Sequence, residues 1–173
     1  GISGDGGFEN LIVDASNASV TGTITDEDVP GTNDTVLLQV LNSDTVEEGG
    51  QLDHNLKLVL QDGGTAVNAV SAITVTLTVT PASGASGIDG AEDVVFTDGT
   101  ALAWNHDGTA TVTATIAAGS NGTDVDFKAV DDYLAEVTQS YTLSVATSGI
   151  SGDGGFENLI VDASNASVTG TIT

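Results

Sequence analysis

Apolar and polar residues alternate along most of this chain with a period of two. Between residues 73 and 80, four aliphatic side chains alternate with four threonines. Successive side chains of a β-strand point to opposite faces of its sheet, so this pattern predicts a strand with one buried face. The buried face is predicted to carry Ile73, Val75, Leu77 and Val79.

Six further segments follow the same rule and are separated by clusters of Gly, Asp, Asn and Ser. No segment has the pattern of an amphipathic helix of ordinary length. Seven or more strands without a helix predict an all-β fold, an antiparallel β-sandwich, with Trp104 sealing one end of its core. The predicted inward residues are Val36, Leu38, Val40, Leu52, Leu56, Leu58, Leu60, Ala110, Val112, Ala114, Ile116, Val125, Phe127, Ala129, Tyr141, Leu143, Val145, Val168 and Ile172, while His54 is a tolerated strand residue.

The chain contains one long exact repeat. Residues 1–25 and 149–173 are identical letter for letter, and the two copies begin 148 positions apart. Such a period predicts a tandem array with one self-sufficient domain per repeat. A single sandwich has one place for these strands, so residues 149–173 are expected to fill it. Residues 1–25 are then spare, and are expected to be loosely ordered or packed against a neighbouring molecule.

This assignment of the two copies divides the chain into three predicted parts. Residues 1–25 are the terminal strands of the preceding repeat, residues 26–35 are an acidic interdomain linker, and residues 36–173 are the sandwich domain. The linker contains the run DEDVPGTND, whose acids repel one another in the absence of a counterion.

Charge narrows the class of partner. The chain has 25 Asp and Glu against 2 Lys and no Cys, which gives a formal net charge of −23. This charge excludes nucleic acid and anionic membrane surfaces as partners, and no apolar run is long enough to insert into a bilayer. Without disulfides, an extracellular domain needs another stabilising device, and in an acidic chain a divalent cation is the obvious one.

Acidic residues cluster at three places. They are the linker acids Asp26, Glu27 and Asp28, the turn acids Glu47 and Glu48, and the group Asp131, Asp132 and Glu136 that follows a strand. A single exposed acid is usually only solvated, but acids on converging loops favour a bound ion. Hard oxygen donors suit Ca²⁺, whereas the two isolated histidines and the lack of thiolates disfavour zinc and copper.

The motifs VEEGG, AAGSNGTDVDFKAVDDYLAEVTQSYTLSV and ASVTGTITDED resemble the Calx-β type of immunoglobulin-like sandwich. With the long period, the chain also resembles the extender repeats of large type I secreted RTX adhesins, including biofilm and ice-binding adhesins. The resemblance implies a Ca²⁺ site at one pole. It implies ligands Glu47 or Glu48, then Asp131, Asp132 and Glu136, then Asp26, Glu27 and Asp28, with Asp93 as a further acid and Gln139 departing from the family pattern.

The expected function is therefore mechanical. The chain is predicted to be a calcium-stabilised extender, or stalk, repeat of a bacterial surface adhesin, located outside the cell and flanked by identical repeats. Two alternatives stay open: a ligand-binding adhesive module, which predicts exposed aromatic residues in the Gly-rich loops, and a Ca²⁺-dependent surface-layer or matrix protein. No nucleophile motif supports an enzyme, and no small-molecule substrate is expected.

Overall fold

A computed structural model describes residues 4, 6–25, 29–84, 87–88, 90–132 and 137–173 of the chain. Within these residues there are β-strands and two short 3-10 turns but no α-helix, which confirms the all-β prediction. The strands are β1 Thr35–Leu41, β2 Asp44–Val46, β3 Gln51–Leu52, β4 Asn55–Leu60, β5 Ile73–Pro81, β6 Val94–Phe96, β7 Ala103–Trp104, β8 Ala110–Ile116, β9 Gly122–Asp124, β10 Phe127–Ala129, β11 Gln139–Ser151, β12 Asn158–Val161 and β13 Ser167–Ile172.

The strands form two facing layers. One layer is the sheet β12-β1-β4-β9, and the other is the larger sheet β2-β13-β11-β5-β8-β7. A small sheet, β3-β10-β6, extends the first layer, because only two residues separate β3 from β4 and β9 from β10. Most pairs are antiparallel, as predicted, but β12 pairs parallel with β1 and β2 pairs parallel with β13.

The core lies between these layers and is almost entirely aliphatic. The predicted inward residues are buried, with two exceptions. Leu60 and Ala114 pack against the core but are only half-buried, and Leu60 is the last residue of β4, where water reaches the end of the sandwich. The period of two therefore identified the buried faces correctly.

A buried histidine joins the two layers. His54 is 1% exposed, and its Nδ1 lies 2.6 Å from the carbonyl oxygen of Asn42. A carbonyl can only accept, so Nδ1 carries the hydrogen, and in the neutral ring Nε2 accepts from the Tyr141 hydroxyl at 2.7 Å. Burial, and then the charge of Asp44, raise the pKa of Tyr141. His54 is thus a bonded core residue, which the strand pattern alone did not show.

Residues 149–173, the closing segment, belong to both layers. Their strand β12 pairs with β1, and their strand β13 pairs with β11 and β2. Gly170 on β13 packs directly on the ring of Tyr141, where any Cβ would overlap the ring atoms. The closing segment therefore completes the sandwich, as predicted, and its glycine is required by the Tyr141 ring.

Residues 1–25, the N-terminal copy, have the same sequence and a different structure. Their described residues form no strand, and Val20 and Ile24 are 97% and 100% exposed, whereas the identical Val168 and Ile172 are 8% and 4% exposed. Strand formation in this sequence therefore depends on tertiary partners.

One local turn is the same in both copies. Asp14 accepts hydrogen bonds from the Ser16 backbone N–H at 2.9 Å and from the Asn17 side chain at 2.8 Å. In the closing segment Asp162 accepts the equivalent bonds at 3.0 and 2.8 Å, and also accepts one from Gln39 of β1 at 2.8 Å. The side chains of Asn165 and Gln39 hold the pKa of Asp162 below its usual range.

We expect Asp162→Ala to lower the free energy of unfolding by about 1–2 kcal/mol at pH 7, because it removes hydrogen bonds to a charged acceptor. Asp14→Ala, the same change in the exposed copy, should leave the free energy of unfolding unchanged. The folded-state pKa of Asp162 is depressed. The difference in free energy of unfolding between the parent and Asp162→Ala should therefore have its maximum value above pH 3.8 and be lost as the pH falls through that folded-state pKa. Urea titrations across this pH range measure it, and equal losses for both variants would contradict it.

Candidate metal centre

The predicted ligands fall into two groups. The structure describes Glu47, Glu48, Asp131 and Asp132, while the other four lie outside the described residues. Those four are Asp26, Glu27, Asp28 and Glu136.

Glu47 and Glu48 occupy the tight turn that joins β2 to β3. Gly50 closes this turn by donating its N–H to the Glu47 carbonyl at 3.0 Å, and Gly49 has a positive φ of 79°, which favours glycine. Gly49 also donates to the carbonyl of Ala129 at 3.1 Å. The turn is therefore tied by its backbone to the end of β10.

Asp131 lies against this same turn. A Cβ at position 49 would be 3.4 Å from the Cβ of Asp131 and 3.8 Å from its Oδ2. These are ordinary van der Waals distances, so the Asp131 side chain packs against the turn at Gly49. The structure brings together two of the predicted acidic segments, with Glu47 exposed and Glu48 half-buried.

Two further segments reach this end of the sandwich. Thr173, which follows β13, donates its backbone N–H to the carbonyl of Val46 at 2.9 Å, one residue before Glu47. Asp93 is 6% exposed, and its carbonyl accepts from the N–H of Val130 at 2.9 Å, next to Asp131. The exit of the last strand therefore borders the turn of residues 47–50, whereas Asp93 lies across β10 from that turn, beside the segment that leads to Asp131.

The segment that leads into β1 lies at the opposite end. The carbonyl of Thr35, the first residue of β1, accepts a hydrogen bond from the N–H of Gln61 at 2.9 Å. The carbonyl of Thr32 accepts one from the N–H of Asp62 at 3.1 Å. Leu41, at the other end of β1, pairs with Asn55. The chain thus enters the sandwich at one end and leaves it at the other.

The potential metal ligands at the exit end are carboxylate and carbonyl oxygens. These fit Ca²⁺, a cation that takes six to eight oxygen ligands. Within the described ranges, however, no three Asp, Glu or His side chains come together as a metal-binding group. The described residues fit the chemistry of the ion but supply only part of a coordination shell.

A second acidic group was not predicted from the sequence. Asp53, Asp124 and Asp126 line one small cavity beside His54. Burial, and then the charges of Asp53 and Asp124, raise the pKa of Asp126. Asp124 and Asp126 form a visible D-x-D motif, but only the pairing of β9 with β4 shows that Asp53 lies next to them.

We expect Asp126→Asn to stabilise the protein at pH 7. A folded-state pKa that is raised means that this group favours folding most below its ordinary pKa of 3.8, and that the contribution is lost as the pH rises through the folded-state value. Thermal melts should show the variant above the parent at pH 7 and equal to it below pH 3.8. Added salt should reduce the difference in melting temperature between variant and parent at pH 7 but not abolish it, because burial, which salt does not screen, is the largest cause of the raised pKa.

Asp98→Asn is the matched control. Asp98 is an exposed turn acid whose pKa is lowered by the backbone N–H of Thr100, so its neutralisation should not stabilise the protein at pH 7. A lower melting temperature for Asp126→Asn than for the parent at pH 7 would contradict the electrostatic account.

Within the part of the chain that the structure describes, the aromatic side chains give little support to a ligand-binding loop. Trp104, the only tryptophan, is half-buried on β7 and packs against the core rather than projecting from a Gly-rich loop. Phe8 is 65% exposed, but it belongs to the N-terminal copy. No helix of the described residues is long and apolar enough to cross a membrane.

Comparison with known proteins relates this chain to solved structures only. No protein-family model and no curated protein sequence matches it. The apo-form Calx CBD1 domain, a crystal structure, shares 12% sequence identity with a TM-score of 0.51, over 79% of this chain and 95% of that one. The chain has a Calx-β-like fold. The calcium binding domain CBD12 of CALX1.1 aligns at 12% identity and a TM-score of 0.48, over 76% of this chain and 42% of its own length.

Proposed function

We propose that this chain is a calcium-stabilised extender repeat of a bacterial surface adhesin, which holds a distal binding domain away from the cell. The observation that carries the proposal is the convergence of three segments at one end of the sandwich. They are the turn of residues 47–50, the loop that starts at Asp131, and the end of β13 at Thr173. The carboxylate and carbonyl oxygens at this end support the choice of ion, because Ca²⁺ binds oxygen ligands.

The exact repeat supplies the missing ligands. Thr25 is identical in context to Thr173 and is followed by Asp26, Glu27 and Asp28. Where the period continues, the same three acids follow Thr173. Because the backbone of Thr173 is bonded to Val46, these acids enter beside Glu47 and Asp131. Asp26, Glu27 and Asp28 would then complete the site of the preceding domain rather than the site of this one.

Calcium at this position links two successive domains electrostatically. Without the ion, the acidic residues at the exit of one domain repel those in the linker to the next, and the linker stays loose. Extracellular modules bind Ca²⁺ with dissociation constants of roughly 10⁻⁴ to 10⁻³ M, so such a site fills outside the cell and is empty in the cytosol. The ion would therefore stiffen the stalk after secretion.

The topology suits a stalk. Entry at Thr35 and exit at Thr173 lie at opposite ends of the sandwich, so repeats can follow one another end to end. β5 contains nine residues and spans roughly 30 Å, which gives a repeat a length on the order of 40 Å. The proposed partners are identical repeats and, at the tip, the distal binding domain, with no substrate and no catalytic step in this unit.

The calcium proposal is tested with the chain extended after Thr173 by the residues of positions 26–34. At a Ca²⁺ concentration a hundredfold above the dissociation constant, each site adds about 2.7 kcal/mol, which corresponds to a rise of roughly 5–10 °C in melting temperature over a chelator control. The chain without the extension should gain less. Scanning calorimetry of both chains measures the difference.

The matched variants separate binding from general charge. Asp131→Asn with Asp132→Asn in the extended chain should remove most of the calcium-dependent rise. Asp62→Asn removes one acid at the opposite end of the sandwich, beside Thr32, and should keep it. An extended chain that melts at the same temperature with calcium and with chelator would rule out the calcium proposal.

The stalk proposal is tested separately with two complete repeats in one chain. Small-angle X-ray scattering should give a maximum dimension close to twice that of one repeat in calcium, and a shorter mean dimension in chelator, because the linker becomes flexible. A two-repeat chain whose dimension is the same in both buffers would show that calcium does not stiffen the junction, whatever the melting experiment shows.

A further inference from the structure

The N-terminal copy exposes apolar side chains that are not covered by any of the described residues of this chain. Six of its aliphatic and aromatic side chains are between 46% and 100% exposed. Soluble proteins rarely leave a continuous apolar segment of this kind uncovered unless it binds something. The residues are Phe8, Leu11, Ile12, Val13, Val20 and Ile24.

The closing segment shows what covers the same residues when they are docked. There Val168 and Ile172 enter the core of the sandwich, and Phe156, Leu159 and Val161 pack against it. The backbone of β12 pairs with β1, and that of β13 pairs with β11 and β2. Because the two copies are identical, the slot of the closing segment matches the N-terminal copy side chain for side chain.

The free copy already has the turn geometry of the docked copy. Gly4, Gly6 and Gly7 have φ values of 83°, 59° and 83°, and the equivalent glycines 152, 154 and 155 have 91°, 67° and 79°. The Asp14 turn also has the hydrogen bonds of the Asp162 turn. Docking therefore requires the strands to straighten between turns that are already formed, which lowers the entropic cost of binding.

One glycine makes the match specific. A segment that enters the slot must have no side chain where it crosses Tyr141, because a Cβ at Gly170 would overlap that ring. The N-terminal copy has Gly22 at this position, where an added Cβ would meet no other atom within 4 Å in the undocked state. Gly22 can therefore be changed without disturbing the intact domain, which makes it a clean probe of docking.

The N-terminal copy cannot reach the slot of its own sandwich. In that slot Thr25 would lie beside Val46, whereas Gly31 is held at the opposite end by the Thr35 hydroxyl at 2.7 Å and by the N–H of Asp34 at 3.3 Å. The six residue steps from Thr25 to Gly31 span at most about 20 Å. The sandwich is roughly 30 Å long, so the slot within reach belongs to another molecule.

We propose that the N-terminal copy is a donor segment that closes the sandwich of a second copy of this chain in place of that copy's own closing segment. In the intact chain the attached closing segment occupies the slot in preference to the N-terminal copy of another molecule, because its effective concentration is in the millimolar range. When the closing segment is disabled, each chain donates its N-terminal copy to the next. The contact is head-to-tail, so the product is a ring or an open chain of sandwiches rather than a symmetric dimer.

The test uses the full chain with Gly170→Val and Ile172→Asp. These changes exclude the closing segment from the slot and leave the N-terminal copy intact. We expect light scattering to show assemblies of several 17.2 kDa chains with retained β-sheet circular dichroism, and an unfolding midpoint that rises with protein concentration. A monomer, whether folded or unfolded, would overturn the proposal.

Two controls assign the assembly to the donor segment. Adding Gly22→Val and Ile24→Asp to the first variant should abolish both assembly and cooperative unfolding, and a synthetic peptide of residues 1–25 should restore folding as a one-to-one complex. Gly22→Val with Ile24→Asp alone, in a chain with an intact closing segment, should leave the melting temperature unchanged. Assembly that survives in the quadruple variant, or a peptide that restores nothing, would also overturn the proposal.

Discussion

The sandwich depends on the pairing of its closing segment with both layers at once. β12 extends the layer of β1, and β13 is inserted between β11 and β2 in the opposite layer. Tyr141 lies at the centre of this arrangement, since its ring packs on Gly170 and its hydroxyl bonds His54 across the core. The last 25 residues therefore hold together two sheets that the preceding residues only partly connect.

The same pairing determines the geometry on which the proposed function rests. Because β13 runs parallel to β2, it ends where the turn of residues 47–50 begins, and Thr173 lies beside Val46. The β3–β10 pairing brings Asp131 to that turn. Acids that are far apart in sequence thus approach one end of the sandwich as a consequence of strand direction. The opposite position of Thr35 makes the repeat suited to end-to-end connection.

The sequence predicted the parts of the structure that depend on local pattern. A period of two identified the buried faces, and glycine at position 49 could be expected in a turn. Strand partners are not encoded in that pattern, so the parallel pairs of the closing segment, the bonded state of His54 and the approach of Asp53 to Asp124 were not foreseen. In the proposed array, the full set of metal ligands would form only at the junction between repeats, so a single period would contain only part of it.

The two identical segments separate local from tertiary determinants within one molecule. The aspartate turn forms in both, so it is encoded by the residues from Asp14 to Asn17 alone, whereas Val20 and Ile24 take part in a strand only where a partner sheet receives them. In an array of identical repeats, side-chain fit cannot tell one closing segment from the next. What assigns each segment to its own domain is the covalent path: β11 runs without a break into the closing segment, and the linker is too short to reach back across the sandwich. Linker length is therefore as much a determinant of correct folding in such an array as the core itself.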